Sequence, residues 1–343
     1  MDNRIVYVDI LRIFATFSVV LLHVAAGNWG NAVIGTFDWK VFNFYDSLVR
    51  FGVPIFVMVS GMFLLNPNKK ISYKDMYSKY ILRIVITFIS WSLLYAIYNN
   101  LINYDTFNFE VFKNSFIFGH YHMWYLYMIV GLYVITSLIR NIANDKTAIE
   151  YFLLLSLIFT SLLPITVKVF NLVDLNLFIK KIDLSFTFGY VGYYIGGYYF
   201  SNYELTKQKR NIIYLLGVLG FICTYVFTDI ISLKTGKADS TFYSYFAPNV
   251  LFVSIAVFIF FKYEVSKINV NTSGVKLINI LSDCSFRIYL VHDFFNIFLL
   301  QLGFNTLKYN PLLSVPFAAI VVFTGSLIIS FIIEKTPLLK RIL

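Results

Sequence analysis

In the stretch VDILRIFATFSVVLLHVAAG, Arg12 and His23 stand eleven residues apart in an otherwise apolar run. On an α-helix, eleven steps of about 100° return to within roughly 20° of the starting face and climb about 16 Å. The two side chains therefore point the same way, with Asp9 and Thr16 near the same stripe. An ionisable group inside a bilayer costs roughly 2.5–3.5 kcal/mol or more, so it usually faces a partner or a wet cavity. A guanidinium below suits an anion. An imidazole above, with an ordinary pKa of about 6.5, suits proton transfer near neutral pH. The bland readings are a His23 satisfied across helices and an Arg12 that snorkels to the headgroups.

The elements that carry these residues are membrane spans. The chain of 343 residues is 59% hydrophobic and 13% charged, with a mean hydropathy of +0.72. No soluble domain hides that much apolar surface. A net charge of +10 is explained by basic cytoplasmic loops, so no nucleic-acid partner is inferred. Cys223 and Cys284 form no recognisable pattern, and neither a disulfide nor a metal site is expected. The first apolar run is long, contains Arg12 and lacks a small-residue cleavage pattern, so it is expected to stay as a span. Abundant Lys, Asn, Ile, Tyr and Phe are associated with AT-rich genomes and suggest a bacterial plasma membrane.

A span needs about 20 mostly apolar residues. That rule gives an all-α polytopic membrane protein with about ten transmembrane helices, near 7–27, 44–65, 79–101, 122–139, 149–168, 184–201, 211–231, 244–262, 286–303 and 311–333. Residues 105–118 and 275–285 read as interfacial helices. The connections are short and residues 1–343 read as one integral membrane domain. Lys69, Lys70, Lys74, Lys79, Lys207, Lys209, Arg210, Lys335, Lys340 and Arg341 fall on the side of the N-terminus. The opposite loops hold fewer, among them Lys40, Lys113, Lys234, Lys237, Lys308 and the pair Lys180 and Lys181. Both termini are therefore expected to be cytoplasmic. Lys79 and Arg83, four apart, then sit at the cytoplasmic end of the third span, and Arg287 begins the ninth on that side. With Arg12 they form a basic group whose planar guanidinium forks match phosphate.

Several short motifs occur in a fixed order. Val8-Asp9-Ile10-Leu11-Arg12 precedes His23. Gly52-Val53-Pro54-Ile55-Phe56 leads to Ser60-Gly61, and Lys79 with Arg83 follows. Trp124-Tyr125-Leu126 comes next, and Ile288-Tyr289-Leu290-Val291-His292 comes late. Together they cover nearly the whole chain and resemble the membrane-bound acyltransferase-3 family. The resemblance implies transfer of an acyl group, usually acetyl from cytoplasmic acetyl-CoA, to a hydroxyl of a cell-surface glycan or other acceptor. It implies Arg12 and His23 as the key catalytic positions. Some relatives carry an extracytoplasmic esterase-like domain, which is not seen here.

Taken together, the expectation is a membrane O-acyltransferase. Arg12, Lys79, Arg83 and Arg287 would hold the CoA phosphates. His23 would take the acceptor's proton or accept the acyl group itself. Ser60, Trp124, Tyr289 and His292 are candidates for substrate contact or the oxyanion. His292 reads equally well as a structural group above Tyr289, and Lys79 and Arg83 as residues that set topology alone. His120 and His122 read as part of an aromatic belt, with acceptor binding as the alternative. Gly192 and Gly196 read as a close helix contact. The expected partners are membrane lipid, acyl-CoA and a hydroxyl acceptor; oligomeric state has no signature. A transporter or flippase of a small solute or lipid-linked glycan is the alternative function, since a buried His–Arg stripe also suits proton coupling.

Overall fold

The computed structural model describes residues 4–103, 106–174 and 189–336. Among these the protein is helical, without strands. Eight stretches of the described residues are long and apolar enough to cross a membrane, so the chain is an all-α polytopic membrane protein. Two of the ten expected spans are not among the eight. The sixth, 184–201, begins outside the described residues and continues as the 12-residue helix Val191–Asn202. The ninth lies inside Thr272–Gln301, a 30-residue helix whose Asp283, Arg287, His292 and Asp293 lower its hydropathy. Lys180, Lys181, Lys340 and Arg341 lie outside the described residues.

The chain divides into two compact units, Met1–Phe63 with Lys146–Ile328, and Leu64–Asp145 with Ile329–Leu343. In the first, α1 (Val6–Trp29) is followed by α2 (Phe37–Val49) and α3 (Gly52–Leu64). The sequence pattern 44–65 thus does not form one helix. Pro54 has no N–H to give to the carbonyl of Arg50, so the helix breaks at Arg50–Phe51 and restarts where Ile55 N bonds Phe51 O at 3.0 Å. Thr36 caps α2 by accepting from Trp39 N at 3.3 Å.

The second unit contains α4 (Leu82–Asn103), reached through the turn Tyr73–Asp75 and a π-helical turn, Met76–Ile81. It then has α5 (Phe109–Phe118) and α6 (Trp124–Ala143). Asn108 caps α5, which lies within the interfacial helix expected at 105–118.

Back in the first unit, α7 (Lys146–Ser156) runs through a second π turn, Leu157–Leu162, into α8 (Leu163–Phe170). Then follow α9 (Val191–Asn202), α10 (Lys207–Thr235), α11 (Pro248–Tyr263), α12 (Thr272–Gln301) and α13 (Pro311–Lys335), whose last residues belong to the second unit. The interfacial helix expected at 275–285 is instead the opening of α12. Asn271 caps that helix through Gly274 N at 2.8 Å, and beyond Gly274 no Gly or Pro interrupts it before the apolar half.

Two features position the first unit's helices. α3 and α9 cross backbone against backbone: a Cβ at Gly61 would collide with the Tyr194 carbonyl, and one at Gly197 with the Met58 carbonyl. Of the expected pair, Gly192 lies tight against Ser156, whereas Gly196 has ordinary clearance. α1 and α12 pack side by side in the same direction. Arg4 meets Asp283, Asp9 meets Ser282, and His23 meets His292, so the N-terminal ends of both helices lie together, as do their later turns.

Candidate active site

The centre of the α1–α12 seam is a chain of hydrogen bonds. His23 Nδ1 lies 2.7 Å from His292 Nε2, and His292 Nδ1 lies 2.7 Å from the Tyr289 carbonyl oxygen. The two imidazole planes differ by 11° with centroids 4.9 Å apart. An N–N distance that short requires the rings to meet edge to edge as hydrogen-bond partners. The carbonyl can only accept, so His292 carries its proton on Nδ1. A neutral imidazole has one donor and one acceptor nitrogen. His292 Nε2 therefore accepts, His23 Nδ1 donates, and the basic lone pair of His23 falls on Nε2. Tautomers are fixed in this way by the partner of the other nitrogen.

Burial differs along the chain. His292 is fully buried, while His23 is half-buried, which leaves the basic imidazole the more approachable of the two. Should His23 Nε2 take a proton, its Nδ1–H becomes a charge-assisted donor to His292, a stronger bond than the neutral one.

Below it the seam is anionic and basic in turn. Asp9 Oδ1 accepts from Ser282 Oγ at 2.6 Å and lies 4.0 Å from Arg12 Nη1. Arg12 keeps 37% of its side chain exposed and lies over the ring of Phe63 at 5.3 Å. Thr16, although on the stripe, gives its hydroxyl to the Arg12 carbonyl at 2.8 Å. Arg4 pairs with Asp283 at 2.5 Å. That hydrogen bond, ahead of burial, holds the Arg4 guanidinium above its ordinary pKa.

The other expected residues are placed as follows. Arg287 does not begin a helix; it is the middle of α12. It is about 140° round the helix from Ser282 and from His292, and about 40° from Asp283. Its Nη2 lies 3.5 Å from Cys284 Sγ. Ser60 donates to its own helix at Phe56 O, 2.8 Å. Tyr289 is buried and serves His292 through its carbonyl. In the second unit, Lys79 lies in the π turn, 71% exposed, paired with Asp75 at 2.6 Å. Arg83 is exposed on α4, and Trp124, 37% exposed, begins α6. The aromatic-belt reading fails for His122, which is buried at 1% exposure. His122 Nδ1 lies 3.1 Å from His120 Nδ1, and His120 stacks on Tyr95 at 4.4 Å.

One polar group escapes the sequence reading. At the α2–α3 break, Asp46, wholly buried, pairs with Arg50 at 2.5 Å. The Arg50 guanidinium lies over the ring of Tyr243 at 4.0 Å, and Tyr243 donates to Asn43 Oδ1 at 2.5 Å. Opposite charges four residues apart in an apolar run were the available signal.

These features accord with what comparison finds. The model of the family described as an acyltransferase domain, acyltransferase-3, matches residues 5–334. The chain belongs to that family and is a membrane acyltransferase. No curated protein matches it, and no solved structure does.

Proposed function

We propose that the protein transfers an acetyl group from acetyl-CoA to a hydroxyl of a cell-envelope glycan or related acceptor, with His23 as the base. The observation that carries this is the chain from the Tyr289 carbonyl through His292 to His23, which sets the basic nitrogen of His23 at Nε2. In the reaction the acceptor O–H gives its proton to Nε2 while its oxygen attacks the thioester carbonyl. The C–S bond breaks, the thiolate leaves, and Nε2 returns the proton to sulfur. An ester and free CoA result. Arg12 offers a planar fork to a donor phosphate. Positive-inside counting supports donor entry from the side of the termini and acceptor approach from the other.

The test is transfer of labelled acetyl to cell-envelope material in sealed, oriented vesicles. His23→Ala is expected to lower turnover by about 10²–10⁴-fold with folding retained. Turnover above about a tenth of wild type would remove His23 from the mechanism. Movement of an unmodified solute, independent of acetyl-CoA, would establish the transporter reading instead.

A further inference from the structure

Within the first unit, α7 and α9 run in opposite directions and close on each other at two levels. At one, Gly192 lies against Ser156, where a Cβ would stand 2.2 Å from Oγ. At the other, Tyr199 donates to Glu150 Oε1 at 2.7 Å. Between them Gly196 faces Leu153, and a Cβ there would keep 3.8 Å from Leu153 Cδ2. The seam is therefore open where a glycine meets a leucine. The opening is a slot of about 230 Å³, walled further by Met58 of α3, Phe200 of α9, and Phe252 and Ile255 of α11. None of the described residues that line it is charged. The Tyr193 hydroxyl, on the same wall, is given to the Tyr245 carbonyl at 2.6 Å. Leu157, also on the wall, begins the π turn, and such turns are frequent at functional sites.

The position of the slot decides what fills it. Ser156 and Leu157 lie midway along the span Lys146–Phe170, and only 22% of that span's most apolar stretch is buried. Leu154, at the slot, keeps 53% of its surface exposed. The slot thus faces the hydrocarbon of the bilayer, where no water is available to fill it. Left empty, its walls would forfeit dispersion contacts on every side. An apolar cavity of about 150 Å³ already admits benzene, so this one takes a run of alkyl chain. We propose that the slot seats one acyl chain of a membrane phospholipid, held between α7 and α9 as part of the folded protein. The chain supplies the side chain that Gly196 lacks. Without a charged group on the wall, the slot binds the chain alone, and the headgroup stays at the membrane surface. The proposal does not depend on the acetyl-transfer reading.

The test uses the full-length protein in nanodiscs of phosphatidylcholine that carries a diazirine midway along one acyl chain. After photolysis, peptide mapping by mass spectrometry should find adducts concentrated on residues 153–157 and 192–200, above those at Leu215 and Val218, which are exposed on α10. Gly196→Leu fills the slot and should lower the slot adducts about fivefold or more by removing the chain's packing contacts, while the adducts on α10 stay unchanged. Gly196→Ala, whose methyl has ordinary clearance, should keep them. Leu153→Ala widens the slot and should raise them. Stripping lipid with detergent should lower the thermal midpoint of wild type more than that of Gly196→Leu, because the leucine replaces the chain. Equal adduct density on the slot and on α10 overturns the proposal, as does an equal slot yield in wild type and Gly196→Leu. Should Gly196→Leu not fold, an unchanged or lower yield in Leu153→Ala overturns it instead. Slot adducts from a diazirine-bearing polyprenyl phosphate that excess phosphatidylcholine does not displace would make the slot a seat for an isoprenoid anchor, and the phospholipid assignment would fall.

Discussion

The first unit places polar groups in its apolar interior in two contrasting ways. On the α1–α12 seam, His23 and His292 are joined at 2.7 Å as neutral partners, with donor matched to acceptor down to the Tyr289 carbonyl. At the α2–α3 break, Asp46 and Arg50 face each other at 2.5 Å as full charges. Among the described residues both Asp46 carboxylate oxygens and Arg50 Nε lie outside hydrogen-bond geometry, as do the indole nitrogens of Trp29 and Trp39. A neutral chain with one half-exposed end is arranged to pass a proton. A dry ion pair gains little stability over an apolar pair of the same shape, but losing one member leaves a buried charge uncompensated. The seam should therefore fail by losing activity, and the break by losing the fold.

Breaking the ion pair should give the largest change. Asp46→Ala leaves Arg50 uncompensated and is expected to cost about 3–5 kcal/mol. It should be seen as a lower thermal midpoint in detergent, with the specific activity of the folded fraction preserved. The paired change Asp46→Leu/Arg50→Met should recover most of that loss. A single variant as stable as wild type would show that the break does not depend on the pair. Next in size, His292→Ala should lower acyl transfer by about 10²-fold through misorientation of His23 and leave the thermal midpoint close to wild type. Equal losses of activity and stability would make His292 a packing residue and collapse the contrast. The smallest effect is expected at the α3–α9 crossing. Gly197→Ala forces a methyl against the Met58 carbonyl and should cost about 1–3 kcal/mol, again read as a thermal shift. No shift would mean that the two helices separate easily.

Much of this was legible along single helices and little of it across them. Arg12 and His23 could be aligned because helical period alone fixes their faces. The identity of the group meeting His23 could not be read, since His292 lies 269 residues away and only packing brings them together. The apolar run begins near Arg287 and suggests a helix start there, but the polar first half of α12 is helical too, capped by Asn271. The break before Pro54 was hidden by the even hydropathy of the run, although the missing N–H marked it. The small-residue spacing at Gly192 and Gly196 marks a close contact at Gly192, against Ser156, but not at Gly196, and it misses the backbone crossing of Gly197 and Gly61.

The parallel pairing of α1 with α12 also sets a schedule for synthesis. Chains grow at about 5–20 residues per second, so His292 leaves the ribosome roughly tens of seconds after His23. For that interval the first span, with Asp9, Arg12 and His23 on it, resides in the membrane before its permanent neighbour exists. The newborn protein must therefore shelter that stripe with water, lipid headgroups or insertion machinery. A ribosome-bound fragment that ends before α12 still lacks the imidazole that meets His23.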